Sequence, residues 1–434
     1  MQSTIKTIVV AFVISLAVAQ SAFAVGSSGF ENASYSARSL GKGNAVVADP
    51  EEASTVAFNP AGMTKLDGVQ VNGSTTMIIP VNDYTSAVGA IDDGTATPFA
   101  VVPVFFVSMQ TPIEHLYVGA GSNSPFGLLT QYSSVGSFKY SSYFNEIQTA
   151  NYYLSGAYQV TDWLSLGGGW TYMDAGLKQV GKFNSNFLTS SVIPGTINLP
   201  DAPFELDVDG HGVGWNVGGL VTISPNDAIG VFYRSMVRAA LEGGFSVDNI
   251  QGLVLPTVFG GPTFNTSAAT DITFPDNLTI GYNHKFSDNF NLETDFGWTN
   301  WSEFDKVDIL FGTSNTVLNG FEPVNEDFND TFSFHIAGSY DLTSTWNIVG
   351  GYFYYERAAN RNNYSNAIPD GDRHGATVGL QYKGRSYAIN LSYEGIFVAS
   401  EHIDNNVGSS NGTSVDGEYS GFVNVISLGV SYHT

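Results

Sequence analysis

The chain has 434 residues, a net charge of −24, 13% charged and 13% aromatic residues, 48 glycines and no cysteine. Acids in such excess exclude nucleic acid and a basic membrane-surface patch as partners. The missing cysteines exclude a disulfide framework, so an exported chain of this size must be held by something else, and a closed hydrogen-bonded barrel suffices.

The first element reads as a removable export signal. Lys6 gives a positive start, Ile8 to Val18 is an apolar run, and Ala22-Phe23-Ala24 is an A-x-A cleavage site. Residues 1–24 are therefore the signal peptide and the mature chain begins at Val25. Cleavage removes Lys6 and no acid, which leaves a net charge of −25. No later segment offers ~18 consecutive apolar residues, so a transmembrane helix is not expected.

Residues 25–68 do not read as a strand. Ser34 to Val47 is rich in small residues, and Asp49-Pro50-Glu51-Glu52-Ala53 has the proline and the acids of a short helix start. A barrel of this size has a lumen wide enough to leak. The segment is expected to fill it as a small, partly helical plug.

From residue 69 onward the periodicity is two-fold. Phe290, Leu292, Phe296 and Trp298 alternate with Asn291, Glu293 and Asp295, and Tyr387, Ile389, Leu391 and Tyr393 alternate with small or polar residues. Fourteen segments are predicted as strands: 69–80, 100–111, 116–126, 144–160, 164–180, 207–223, 228–241, 272–286, 290–304, 332–341, 346–356, 374–383, 386–398 and 418–432. Alternation alone fits a soluble sandwich equally well. The connections separate the two, because short turns such as Thr161-Asp162-Trp163 alternate with long loops such as 181–206 and 242–271. Short periplasmic turns with long external loops are the outer-membrane pattern. The fold class is thus all-β membrane: a transmembrane β-barrel of about 14 antiparallel strands over 69–434, in a bacterial outer membrane. Its surroundings are outer-membrane lipid and lipopolysaccharide, and barrel-assembly machinery serves it during biogenesis.

Within the third segment Gly119, Gly121 and Pro125 mark either barrel curvature or a bend. The second external loop would start with Pro125, Phe126, Leu128 and Leu129, and the fourth holds Leu253, Leu255 and Phe259. Such apolar loops either capture ligand or pack over the barrel mouth. Arg234 and Lys285 fall on the polar phase of their strands. They either hold a ligand carboxylate or pair with lumen acids such as Glu293 and Asp295.

The ordered set Asn59-Pro60-Ala61-Gly62-Met63, Ser124-Pro125-Phe126-Gly127-Leu128, Tyr233-Arg234-Ser235, Phe274-Pro275-Asp276, Trp298-Thr299-Asn300-Trp301-Ser302 and Ile368-Pro369-Asp370-Gly371-Asp372-Arg373 resembles the FadL/TodX outer-membrane transport proteins. The resemblance covers essentially the whole mature chain. It implies a 14-stranded barrel closed by an N-terminal hatch, and passive uptake of long-chain fatty acids or aromatic hydrocarbons without a cofactor. It also implies that Asn59, Pro60 and Ala61 lie against the bent third strand, where a wall gap would release ligand sideways. The chain departs from the family at its end, Tyr432-His433-Thr434, where an aromatic residue is usual.

Three other motifs fail. Asp207-Val208-Asp209-Gly210 lacks the later acids of a calcium loop. The seven histidines show no paired metal spacing. The one G-x-S-x-G string, Gly408-Ser409-Ser410-Asn411-Gly412, falls in the long loop 399–417 and not between a strand and a helix, so it is no nucleophile elbow, and the chain is read as no enzyme. A surface structural or adhesive barrel and an outer-membrane lipase stand as the alternatives to a channel.

Overall fold

The computed structural model describes residues 27–32, 34–87, 99–190, 198–252, 255–313, 317–318, 324–405 and 407–434. The expected signal peptide and Leu253 lie outside them. The strands close into one antiparallel barrel of 14 spanning strands. They are β1 (Val69–Ser86), β2 (Ala100–Gln110), β3 (Leu116–Asn123, resuming as Gly127–Gln131), β4 (Phe144–Thr161), β5 (Leu164–Phe183) and β6 (Ala202–Ser224). Next come β7 (Asp227–Arg234 with Val237–Val247), β8 (Phe264–Phe274 with Asn277–Ser287), β9 (Phe290–Thr299) and β10 (Thr331–Asp341). The last four are β11 (Trp346–Tyr355), β12 (Arg373–Lys383), β13 (Tyr387–Ile403) and β14 (Gly417–His433). Each strand pairs with its sequence neighbours, and β1 pairs with β14 from Gln70↔His433 to Ser86↔Gly417. Closure pairs the strands around the barrel except at one interruption between β2 and β3, and such pairing is the condition for β-structure in lipid.

The period-two pattern sorts as the pleat demands. On β9 Asn291, Glu293 and Asp295 point into the lumen, while Leu292, Phe296 and Trp298 point out. Phe296 is 63% and Leu154 64% exposed, as lipid-facing side chains are in the absence of lipid.

The strands run further on the long-loop side than the pattern predicts. Strand β6 starts at Ala202, β7 continues to Val247 and β8 begins at Phe264. There Phe204, Leu206 and Val208 point inward and are buried, while Glu205, Asp207 and Asp209 point out. Beyond the bilayer the apolar phase has moved to the interior.

The lumen holds two layers. The outer half is one aromatic cluster that includes Phe30, Phe126, Phe274, Trp301, Phe304 and Phe328. The lower half is filled by residues 34–66, nearly all buried. These form α1 (Ala37–Gly41), α2 (Thr55–Phe58) and a 3-10 helix (Pro60–Lys65). Ser36 caps α1: its hydroxyl accepts from Ser39 N while Ser39 reciprocates. The helix expected to start at Asp49-Pro50-Glu51-Glu52 does not form there; the turn of helix begins at Thr55. Its acids are engaged elsewhere. Glu51 binds Arg38 at 2.6 Å, and Glu52 accepts from Ser36, Asn72 (2.7 Å) and Ser431 (2.9 Å).

Candidate functional site

The wall is interrupted between β2 and β3. The first half of β3 pairs with β2 over Phe105–Gln110 and with β4 throughout. After Asn123 the chain leaves β2, and Gly127–Gln131 pairs only with β4. Residues Ala100–Val104 pair with β1 and have no described partner on their other side. Pro125, which has no N–H to donate, sits at the departure point.

Residues 27–32 occupy the gap from inside. Asn32 N donates to Pro125 O (2.7 Å), Gly127 N donates to Phe30 O (2.9 Å), and Glu31 pairs with Phe126 as an antiparallel bridge. The Asn32 side chain donates to Ser124 O at 3.0 Å. Phe30 is fully buried, with its ring 4.8 Å from Trp301, 5.1 Å from Phe304 and 6.1 Å from both Phe126 and Phe274. Glu31 accepts from Arg234 Nη2 at 2.7 Å, and the guanidinium lies 4.9 Å above the Phe126 ring. Gly29 has φ +58, and a Cβ there would strike the Trp301 ring. A left-handed turn against an indole admits only glycine.

Below this, the hatch is tied to the wall on several sides. Lys42 binds Asp49 (3.1 Å) and Glu293 (3.3 Å). Arg38 binds Glu51 and donates to Asn347 and Ser339. Burial alone would raise the Glu51 carboxyl, yet Arg38 and Lys42 hold it well below the carboxylate range. The irregular stretch 46–48 has no ladder of its own. Asp295 accepts from Val46 N and Val47 N, and Glu293 from Ala48 N at 2.6 Å. Wall carboxylates thus satisfy backbone donors that would otherwise be buried unpaired.

At the outer mouth Tyr84, Tyr132, Tyr364 and Tyr419 line a small, mainly apolar cavity of about 20 Å3, partly open to solvent. Three hydroxyls donate to loop carbonyls, and that of Tyr364 accepts from Asp370 N. Burial pushes the Tyr132 phenol far above its ordinary range, so it stays neutral.

Against this geometry the predicted site residues fall out as follows. Pro125 is at the interruption. Gly119 and Gly121 are not: both sit in the continuously paired half of β3, and their lack of a side chain makes room for Val56 and Met63 and for Phe106. Asn59, Pro60 and Ala61 lie mainly against β5 and β6 rather than at the bend. The Asn59 amide donates to Val47 O (2.8 Å) and Gly219 O (3.3 Å), and a Cβ on Gly167 would meet Ala61 N at 2.5 Å. Val56 and Met63, on either side of that motif, press on Gly119 of β3. Phe126, Leu128, Leu129, Leu255 and Phe259 are buried, so they form no exposed capture patch. Long strands and folded loops roof the mouth and turn these side chains inward. Arg234 is paired, but with Glu31 rather than with Glu293 or Asp295, which hold the hatch. Lys285 is exposed beside the short turn 288–289, at the far end from the long loops. The residues missed were Phe30, Glu31 and the four tyrosines. The 22 tyrosines hinted at the last, but nothing local marked Glu31.

A closed barrel with apolar outer lumen, polar hatch and an interrupted wall defines a stoppered outer-membrane barrel. The chain belongs to the outer membrane protein transport protein family (OMPP1/FadL/TodX), whose model matches residues 15–433. It is 26% identical to the long-chain fatty acid transport protein of Salmonella typhi, over 89% of this chain and 92% of that relative. It is 27% identical to outer membrane protein P1 of Haemophilus influenzae, over 84% of each. Among solved structures a Pseudomonas aeruginosa FadL homologue superposes with a TM-score of 0.83, at 19% identity over 94% of this chain and 100% of that one. The Pseudomonas putida toluene transporter TodX superposes at 0.70, with 17% identity over 92% and 98%. At such identities the likeness is one of fold.

Proposed function

We propose that this protein is a passive outer-membrane channel for hydrophobic compounds, fatty acids or aromatic hydrocarbons, and that it releases them sideways between β2 and β3. Relatives in its family carry these two substrate classes in their names. Residues 25–68 act as the hatch, and the mature chain starts near Val25. One observation carries the route. The hatch is pinned to several strands by buried polar contacts, Lys42 to Glu293, Arg38 to Ser339 and Asn347, and Glu52 to Asn72 and Ser431, whereas the wall gap is stopped by a single stretch of chain, residues 27–32. A hydrophobe in the aromatic outer lumen meets its least resistance there. Passage through the hatch would mean breaking several such contacts at once, whereas the gap is latched by one buried ion pair, Glu31–Arg234.

The test is a Glu31→Cys/Phe126→Cys pair. Directly opposed antiparallel residues have Cα atoms about 4.5–5.5 Å apart, within disulfide range. In vesicles, oxidation is expected to lower hydrophobe flux to that of protein-free vesicles, and reduction to restore it. The reduced form controls for loss of the Glu31–Arg234 pair. Equal flux in both states refutes the route.

A further inference from the structure

Between the hatch and the wall, under the stretch that stops the gap, lies a second cavity lined by Asn32, Ser34, Asn44, Phe353, Tyr355 and Glu394 among others. Its free interior, about 10 Å3, holds one water-sized group. Leu40, Ile78 and Val425 complete its apolar side.

Two of its polar groups are acceptors without a donor. Glu394, on β13, is 4% exposed and forms no hydrogen bond or ion pair among the described residues, and its Oε2 is buried. Asn44 Oδ1 is also buried and unpartnered. By contrast, the cations buried in the lumen are committed. Arg38 pairs with Glu51, Lys42 with Asp49 and Glu293, Arg234 with Glu31, and Arg373 with Asp370 at 2.9 Å. No cation lines this cavity, so an incoming carboxylate there meets the Glu394 carboxyl instead. An incoming donor finds two open acceptors, and unsatisfied buried acceptors are costly enough to select for it.

We infer that this cavity is a head-group site for hydrophobic compounds bearing a hydrogen-bond donor, an alcohol, a phenol or an amine. Glu394 is its principal acceptor, and carboxylates are disfavoured. The inference rests on the channel reading above and narrows its substrate class. The apolar tail extends toward Phe353 and the aromatic outer layer while the donor reaches Glu394.

The test uses the full-length protein in lipid nanodiscs at pH 9.5, where the buried Glu394 carboxyl is ionised, and three matched probes: octan-1-ol, octane and octanoate. The alcohol is expected to bind about tenfold more tightly than the alkane, the effect of one buried hydrogen bond, and the carboxylate more weakly than the alcohol. Glu394→Leu should abolish the alcohol's advantage. Glu394→Gln, which keeps an acceptor and removes the charge, should preserve it and admit octanoate. Equal binding of alcohol and alkane means the cavity holds only water and overturns the proposal. So does octanoate binding as tightly as octanol, or an unchanged advantage in Glu394→Leu. If octane itself fails to bind, the channel reading falls and this site with it.

Discussion

Replacing Glu31 with glutamine removes the charge that faces Arg234, while both side chains are more than nine-tenths buried. Breaking one side of such a pair leaves an uncompensated guanidinium, at about 3–5 kcal/mol. The remaining anchors include six hydrogen bonds and the buried Phe30 ring: three tie residues 30 and 32 to 124–127, and Ser28 and Gly29 bind Thr331, Asp370 and Arg373, each bond contributing about 0.5–1.5 kcal/mol. The penalty is comparable to those bonds together, so the stretch should open far more often, by roughly a hundred- to a thousand-fold at about 1.4 kcal/mol per decade. Ser28 is 1% exposed and the chain has no cysteine of its own, so a Ser28→Cys thiol reports opening directly. Its maleimide labelling should accelerate by that factor in Glu31→Gln. In Glu31→Gln/Arg234→Gln it should fall back toward the parent rate, because no charge is then left unpaired. Unchanged labelling in the single variant, or equal labelling in single and double variants, refutes the latch.

Two further outcomes follow from the hatch and the loops. Deleting residues 27–60 removes Lys42, Arg38 and the Asn59 contacts, and swelling assays should report raised permeability to small polar solutes; no change with the barrel still folded would mean the segment is not a plug. Glu326, buried in the loop after β9, has its carboxyl pushed up from 4.5 to about 8 by burial and then by Asp327. The folded loop therefore holds this proton more tightly than the unfolded one. Its contribution is complete below the ordinary carboxylate pKa and is lost as pH rises through about 8. Protease cleavage within 300–330 should rise between pH 6 and pH 9, and Glu326→Gln should flatten that dependence.

The barrel was legible because lipid imposes a simple rule on strands: large apolar residues out, small or polar residues in. The spanning strands follow it except where inward Val102, Phe106 and Phe353 pack against the hatch. The outer strand ends were misjudged for the same reason. Above the membrane Glu205, Asp207 and Asp209 face out and Phe204, Leu206 and Val208 face in, so a reading keyed to apolar outward faces stops at residue 207. The hatch was legible as compact and helical in part, but its acids were read as helix-start residues although they serve Arg38, Lys42 and Asn72. The gap was half legible. Pro125 announced a missing donor, whereas Gly119 and Gly121 look the same in sequence whether a strand bends or a neighbour presses on it. Arg234 stood out as a scarce cation, but its partner is 203 residues away, and no periodicity links the two.

The central claim is the sideways route, and the location of a hydrophobe in transit tests it most directly. A photoreactive alkane or arene, activated during flux through the full-length protein in lipid vesicles, should label residues 100–104 and 124–131 at the two sides of the gap. Labelling of Pro60–Lys65 and of Lys285 at the short-turn end, with none at the gap, would contradict it.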